Sequence, residues 1–396
     1  MIRPYAWGSR TGIAELRGRP VPSGGPEAEL WMGAHPSAPS VVIRDGVAAG
    51  LDAVVAADPV RELGAECVAR FGGRLPFLLK VLAADKALSI QVHPSREQAE
   101  AGFRAENERG LALGDPRRNY VDDWPKPELL CALTPFEVLA GMRSPRDALG
   151  LLRALGVARL RTAGLELALA AGAPDAAGCA LATILAWPSS DRAALIGDVV
   201  TACAALAAGD GPYARACDAV TRIAASHPGD IGIVGSLLLR HAVLQPGQAV
   251  FMPAGGLHAY LRGTGVELLA NSDNVVRAGL TGKHIDVPEL LKLLDPAVAV
   301  PVLEPAVAGD GVTDYGNRAP EFRLFGVWLG DEAADLPAAG PRIVLCVSGG
   351  VVLRDAAGEV VKLGRGESCF VSAADDAVSA AGPGRAFVAA SGAASG

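Results

Sequence analysis

The chain reads as a mainly β architecture interrupted by a helical block, and three observations carry that reading. Residues 1–143 are built of short apolar runs broken by Gly and Pro, such as Pro76 to Leu82 and Leu129 to Met142, which is the pattern of strands. From Ser144 to about Leu239 the composition turns Ala- and Leu-rich and the apolar period becomes helical. Between Ala87 and Pro94 the sequence A-L-S-I-Q-V-H-P alternates strictly, so that a strand there carries Ser89, Gln91 and His93 on one face and Leu88, Ile90 and Val92 on the other.

Taken in order, residues 1–143 predict a sheet or barrel. From Ser144, with Pro145, Arg146 and Asp147 in the first turn of a new segment, the pattern turns helical, so a helical insertion is expected over 144–240. Leu165 to Trp187 is the longest apolar stretch; Glu166, Pro174 and Asp175 interrupt it short of the roughly 18 clean residues of a membrane span, and it is expected to be a buried helix pair. Strands resume over 241–305. Gly309-Asp-Gly311 reads as a linker into a terminal β-domain, 306–396, with strands at Arg342–Val347, Gly350–Arg354 and Cys369–Val371.

Composition bounds the function. Half of the 396 residues are apolar, enough for two or three packed domains, and 36 basic against 43 acidic residues leave a net charge of −7. That balance argues against a nucleic-acid surface and against binding to an anionic membrane, and it means that an anionic substrate needs locally placed cations. No 7–15-residue apolar run follows Arg3, so no secretory signal is expected. Seven scattered cysteines without a Cys-x-x-Cys pair suggest reduced thiols, and the expected location is cytoplasmic. Each cysteine, Cys131 included, is read as a small buried hydrophobe.

The polar face of the alternating strand is where chemistry concentrates. Gln91 and His93 would stand about 7 Å apart along it. Pro125-Lys-Pro-Glu128 offers a carboxylate at the start of another strand, and Pro253-Ala-Gly-Gly-Leu-His258 offers an imidazole after a glycine-rich turn. Gln91, His93, Glu128 and His258 form a candidate metal site whose two imidazoles, carboxylate and amide, without a thiolate, suit a borderline cation such as Zn²⁺, one per chain. Arg262-Gly-Thr-Gly265 reads as a tight hairpin turn that would carry Glu267 back beside His258. Asp273 is then placed to hold the guanidinium of Arg277. Lys80 in an apolar run, Lys126 beside Glu128, Ser89 and Lys283 are candidate receivers of a phosphate, with no glycine-rich phosphate loop in the chain. His35, His227, His241 and His284 are read as structural or exposed.

Six ordered segments then resemble one family: Tyr5 to Ser9, Ala28 to Ser37, Leu88 to Pro94, Lys126 to Leu130, Phe251 to Leu261 and Asn271 to Gly279 are similar to type I mannose-6-phosphate isomerases, with Pro320 to Leu324 resembling the start of their terminal domain. The resemblance implies cupin-type β-barrels in a bicupin-like arrangement, with an α-helical domain inserted between the halves of the first. It implies a zinc-dependent, reversible conversion of mannose 6-phosphate to fructose 6-phosphate through an enediol, by a monomer whose partner is a small sugar phosphate. Arg277 would stabilise developing charge, and Glu267, Lys126 or a metal-bound water would carry the proton. Lys80, Ser89, Asp273, Lys283 and Trp7 would face the substrate, although an indole buried for packing is an equal reading of Trp7. Gly282 stands where relatives often have Pro, which leaves the placement of Lys283 open. Two rivals remain at this stage: a metal-dependent oxygenase on the same barrel, for which Gln91 is one ligand too many, and a sugar-binding barrel without catalysis.

Overall fold

A computed structural model describes residues 1–392 other than 45, 163–164, 171, 173–174, 310, 317–318, 331 and 376. Its central element is a barrel of two antiparallel sheets that share one strand. One sheet runs in the order Ile2–Arg3, Glu29–Met32, Phe77–Ala84, His258–Ala270, Glu128–Ala132, Ala249–Met252, Val302–Leu303. The other contains Val276–Gly279, Ile90–Val92, the first residues of His258–Ala270, Phe136–Met142 and Leu239–Leu244.

Period-2 alternation sorts the side chains of these strands into layers. Leu79, Val81, Ala83, Leu129, Val266 and Leu268 point outward and share a core with Phe322, Leu324, Ile343, Leu345 and Phe387 of the terminal β-domain. Ile90, Val92, Leu139, Ala259, Val276 and Ala278 point outward from the second sheet into the core of the helical block. Inside the barrel, Leu82, Leu130, Val138, Val250, Met252 and Tyr260 close off one end. The barrel is thus packed on both outer faces, and its interior is where polar side chains can be enclosed.

The helical block begins as its sequence signals require. Ser144 Oγ accepts from the Asp147 amide at 3.1 Å, Pro145 opens the helix Pro145–Leu155, and Gly156 ends it in the left-handed conformation. The Leu165–Trp187 stretch contains the two helices Leu165–Ala170 and Ala176–Leu185; Pro174, read as a break, lies outside the described residues. Among the described residues no helix is long and apolar enough to cross a membrane. In the terminal region, a six-stranded and a four-stranded antiparallel sheet enclose Phe325, Val344, Val351, Leu353 and Val388. The Gly309–Gly311 segment is not a linker: it falls between the paired strands Ala306–Gly309 and Val312–Asp314, although Asp310 itself lies outside the described residues.

Two further expectations are corrected. The Ala87–Pro94 strand is shorter than its alternation suggested, Ile90–Val92, because Leu88 bonds instead to the Tyr260 carbonyl. Arg262–Gly265 is not a hairpin turn. His258–Ala270 is one continuous strand of 13 residues, because its neighbours on both sides, Phe77–Ala84 and Glu128–Ala132, hold residues 263–270 extended. A bulge lies just before the glycines: the register against Phe136–Met142 slips one residue at Leu261, between Tyr260 and Arg262. His258 and Glu267 are nine apart and would face opposite ways in an unbroken strand; the extra residue restores the parity and brings both into the barrel.

Candidate metal centre and substrate cavity

His93, Glu128 and His258 are all buried, and one ligand atom from each lies within 4.8 Å of the others. His93 follows the short strand Ile90–Val92, Glu128 opens its own strand, and His258 opens the long one, so three elements converge at one end of the barrel. The glycine-rich turn before His258 is built for this. Gly255, at φ +79°, donates its amide to the His93 carbonyl at 3.1 Å, and the Gly256 carbonyl accepts from His258 Nδ1 at 3.1 Å. His93 Nδ1 donates in the same way to the Asn274 carbonyl at 2.9 Å. A carbonyl can only accept, so both rings carry their proton on Nδ1 and turn an Nε2 lone pair toward Glu128.

Those lone pairs test whether a cation fits. His93 Nε2 lies 3.2 Å from Glu128 Oε1, yet it is buried without a hydrogen bond, since the approach is not aligned for one. His258 Nε2 stands 3.3 Å from Glu128 Oε2, and the Gln91 amide lies 3.4 Å from the same nitrogen. Burial pushes His93 down to about 4 despite the neighbouring carboxylate, so the imidazole is neutral at physiological pH. Burial alone would raise Glu128; the neighbouring His93 and the Lys126 ammonium outweigh it and hold the carboxyl well below its usual range. An ionised carboxylate, two imidazoles that turn Nε2 inward and an amide that can turn its oxygen inward are a donor set for a divalent cation.

Beside this cluster a cavity of about 570 Å³ opens, lined by Trp7, Lys80, Ser89, Gln91, Lys126, Glu128, Glu267, Asp273, Arg277 and Lys283 among others. It brings together ten of the twelve residues singled out from the sequence, and the other two, His93 and His258, lie behind it against Glu128. Lys80 Nζ is 3.3 Å from Glu267 and 3.7 Å from Glu29, and Lys126 Nζ is 3.4 Å from Glu128. Trp7 is half-buried and stacks on Tyr5 with ring centroids 5.6 Å apart. Asp273 does not hold Arg277. Its carboxylate lies 3.3 Å from His35 Nε2, which the Ser37 amide, bonded to Nδ1, fixes as the protonated nitrogen. Among the described residues Arg277 has no ion-pair partner, and burial lowers its basicity.

Several contributors escaped sequence reading. Glu29 and Trp31, on the buried strand Glu29–Met32, meet Lys80 from the far side; Trp31 Nε1 donates to Glu29 at 2.7 Å, and Lys80 Nζ sits 4.9 Å from the indole centroid. A buried acid between apolar neighbours in Ala28-Glu-Leu-Trp-Met32 was the available signal. Tyr260 Oη donates to Glu128 at 3.3 Å. Lys86 and the half-buried His227 also line the cavity, so His227 is neither a core nor a merely exposed histidine.

The fold and this donor set define a cupin-type barrel with an enclosed metal-competent centre. A family model described as phosphomannose isomerase type I, catalytic domain, matches residues 1–145. Mannose-6-phosphate isomerase of Escherichia coli K12 is 36% identical over 391 residues, covering 97% of this chain and 96% of its own. The enzyme of that name from Rattus norvegicus is 30% identical over 400 residues, covering 94% and 92%. A zinc-bound crystal structure of mannose 6-phosphate isomerase superposes with a TM-score of 0.87 at 34% identity over 99% of this chain and 98% of its own. A variant of the Salmonella typhimurium enzyme superposes at 0.89. The chain belongs to the type I phosphomannose isomerase family.

Proposed function

We propose that this protein interconverts mannose 6-phosphate and fructose 6-phosphate, with Zn²⁺ held by Gln91, His93, Glu128 and His258. The observation that carries the reading is the pairing of an orphaned, buried His93 Nε2 with a cavity whose floor holds a proton-exchanging acid, Glu267. A zinc ion there supplies Lewis acidity for carbonyl and hydroxyl oxygens without a change of oxidation state. Burial lifts Glu267 to about 7 against the opposing pull of Lys80, so at neutral pH it can both take and return a proton. In an aldose-to-ketose conversion it moves a proton from C2 to C1 of the opened sugar through an enediol. Lys126, next to Glu128, can protonate a substrate oxygen, and Arg277 offers a planar, unpaired cation for the charge that grows there.

Charge distribution revises the phosphate assignment. Lys80 and Lys126 are neutralised by Glu29, Glu267 and Glu128, so their ammonium groups suit hydroxyl oxygens better than a dianion. Among the described residues Ser89, Arg277 and the exposed Lys283 lie on the same cavity without such partners, and they are the better phosphate contacts. Asp273, held by His35, orients a sugar hydroxyl, and Trp7 forms an apolar wall. The family resemblance favours a monomer, and seven scattered cysteines without a Cys-x-x-Cys pair favour the cytoplasm. We retain the division into a first barrel region over 1–143, a helical insertion over 144–240, the barrel's continuation over 241–305 and a terminal β-domain over 306–396.

The test is metal analysis of the purified protein with a coupled assay on mannose 6-phosphate before and after chelation. One zinc per chain, activity lost with it and restored by Zn²⁺ are expected. Full turnover by demonstrably metal-free protein, or none by the zinc-loaded form, would refute the proposal.

A further inference from the structure

Asn274 is fully buried, and every hydrogen-bonding capacity of its amide is used. Its Oδ1 accepts from the Val121 amide at 2.7 Å and the Asp122 amide at 3.2 Å. Its Nδ2 donates to the carbonyls of Asp122 and Trp124, each at 2.8 Å. Asp122 returns the grip, its carboxylate accepting from Ser272 Oγ at 2.8 Å and from the Asp273 amide at 2.9 Å. Two irregular segments are thereby laced together: residues 119–126, which run into Lys126 and Glu128, and residues 271–275, which run into Arg277. Neither has a ladder to satisfy its backbone, so these side chains take the place of one.

The same residue carries the carbonyl that orients His93, and that bond sets which nitrogen of His93 faces the centre. A shift of the 119–126 segment therefore moves a ligand, and a fixed ligand holds the segment. We infer that Asn274 is a positioning residue that couples metal occupancy at His93 to the order of the 119–126 and 271–275 segments. This rests on the metal reading above. Linkage makes the coupling reciprocal: metal orders the segments that carry Lys126 and Arg277, and those segments raise the affinity for metal.

Hydrogen exchange on the full chain, zinc-loaded and chelator-stripped, reads the coupling without using activity. The Val121 and Asp122 amides should exchange at least about tenfold faster after stripping, while the Val388 amide, in the ladder of the terminal domain, should not change. Asn274→Asp puts a carboxylate oxygen where Nδ2 now serves two carbonyls. Its Zn²⁺ dissociation constant, measured by chelator competition, should rise about 10-fold or more. At saturating Zn²⁺ the two amides of that variant should stay fast, which a general loss of stability would not confine to them. Val121 and Asp122 amides equally protected in both wild-type forms, or wild-type zinc affinity in a folded Asn274→Asp, would overturn the coupling. Should that variant not fold, the wild-type comparison decides alone. A wild-type chain that takes up no zinc at all would instead overturn the metal reading itself, and the binding stoichiometry tells the two failures apart.

Discussion

Lys80 and Glu267 stand directly opposite each other on adjacent antiparallel strands, with Nζ 3.3 Å from the carboxylate, at the floor of the cavity. The pair is not a closed one. Glu29 approaches the same ammonium at 3.7 Å and Glu128 adds its field, so three acids compete for two lysines. Burial lowers Lys80 but these acids more than reverse the effect, whereas burial raises Glu267 and Lys80 only partly offsets it. Burial, reinforced by the negative charge of Glu128 and Glu29, is what leaves Glu267 able to hold a proton near pH 7.

Replacing that acid by its amide keeps the shape and removes the exchangeable proton. Glu267→Gln should lower kcat by about 10²-fold or more, the scale of one general acid–base group, with zinc content unchanged. A coupled assay and metal analysis on the same sample check it, and a kcat within threefold of wild type would remove Glu267 from the proton path.

Lys80→Met should act on stability as well as on turnover. It leaves Glu29 and Glu267 buried without their cation, and breaking a buried pair from one side costs about 3–5 kcal/mol. Denaturant unfolding at pH 7 measures the loss. Partial recovery at lower pH, as the stranded acids take up protons, is the expected signature; equal losses at pH 7 and pH 5 would count against it.

Much of this was legible in the sequence, and what was not has a physical reason. The alternation that set Ser89, Gln91 and His93 against Ile90 and Val92 holds because strand parity is local. The start of the helical block at Ser144 holds for the same cause. The strand through Arg262–Gly265 was misread because glycines that permit a turn also permit an extended strand, and only the neighbouring strands decide between them. Asp273 was assigned to Arg277 from nearness in sequence, whereas its partner, His35, lies more than two hundred residues away. Glu29 went unseen because it joins the site through the register of its strand with the distant one that carries Lys80.

Gly263 tests the close approach of the long strand to Phe136 beside the bulge. A Cβ there would fall 2.7 Å from Phe136 Cδ2 and 2.8 Å from its Cα, at φ +134°, where L side chains are strained. Gly263→Ala should therefore destabilise the chain by about 2 kcal/mol or more and weaken zinc binding, since the bulge sets the parity of His258 against Glu267. A thermal transition unchanged from wild type would show that the close approach can do without glycine.

Acid stability has a separate origin, at Glu137. Burial would raise this carboxyl, but His241 and Arg222, each bonded to it at 2.6 Å, bring it down to about 2 from an ordinary 4.5. A depressed folded value means stability that is present above pH 4.5 and lost as pH falls toward 2, at most about 3 kcal/mol. The wild type should lose stability across that window, and Glu137→Gln should be less stable at pH 7 with a flatter acid limb. Parallel acid limbs for the two proteins would contradict the assignment.

Arg277 gives the sharpest test of the chemistry. It is half-buried on the cavity wall without an ion-pair partner among the described residues, and its strand pairs with Ile90–Val92, directly opposite Gln91. If its guanidinium stabilises charge that grows on the sugar oxygens, Arg277→Ala should lower kcat about 10²-fold or more, the scale of one preorganised donor in a site of low polarity. Contact with the phosphate alone predicts otherwise, a higher KM with kcat unchanged, because uniform binding leaves the chemical step untouched. Arg277→Lys should recover only part of the loss, since an ammonium lacks the planar fork that can span two oxygens. With folding and zinc content verified, wild-type kcat in Arg277→Ala would end its catalytic assignment, and full rescue by lysine would reduce its role to that of a point charge.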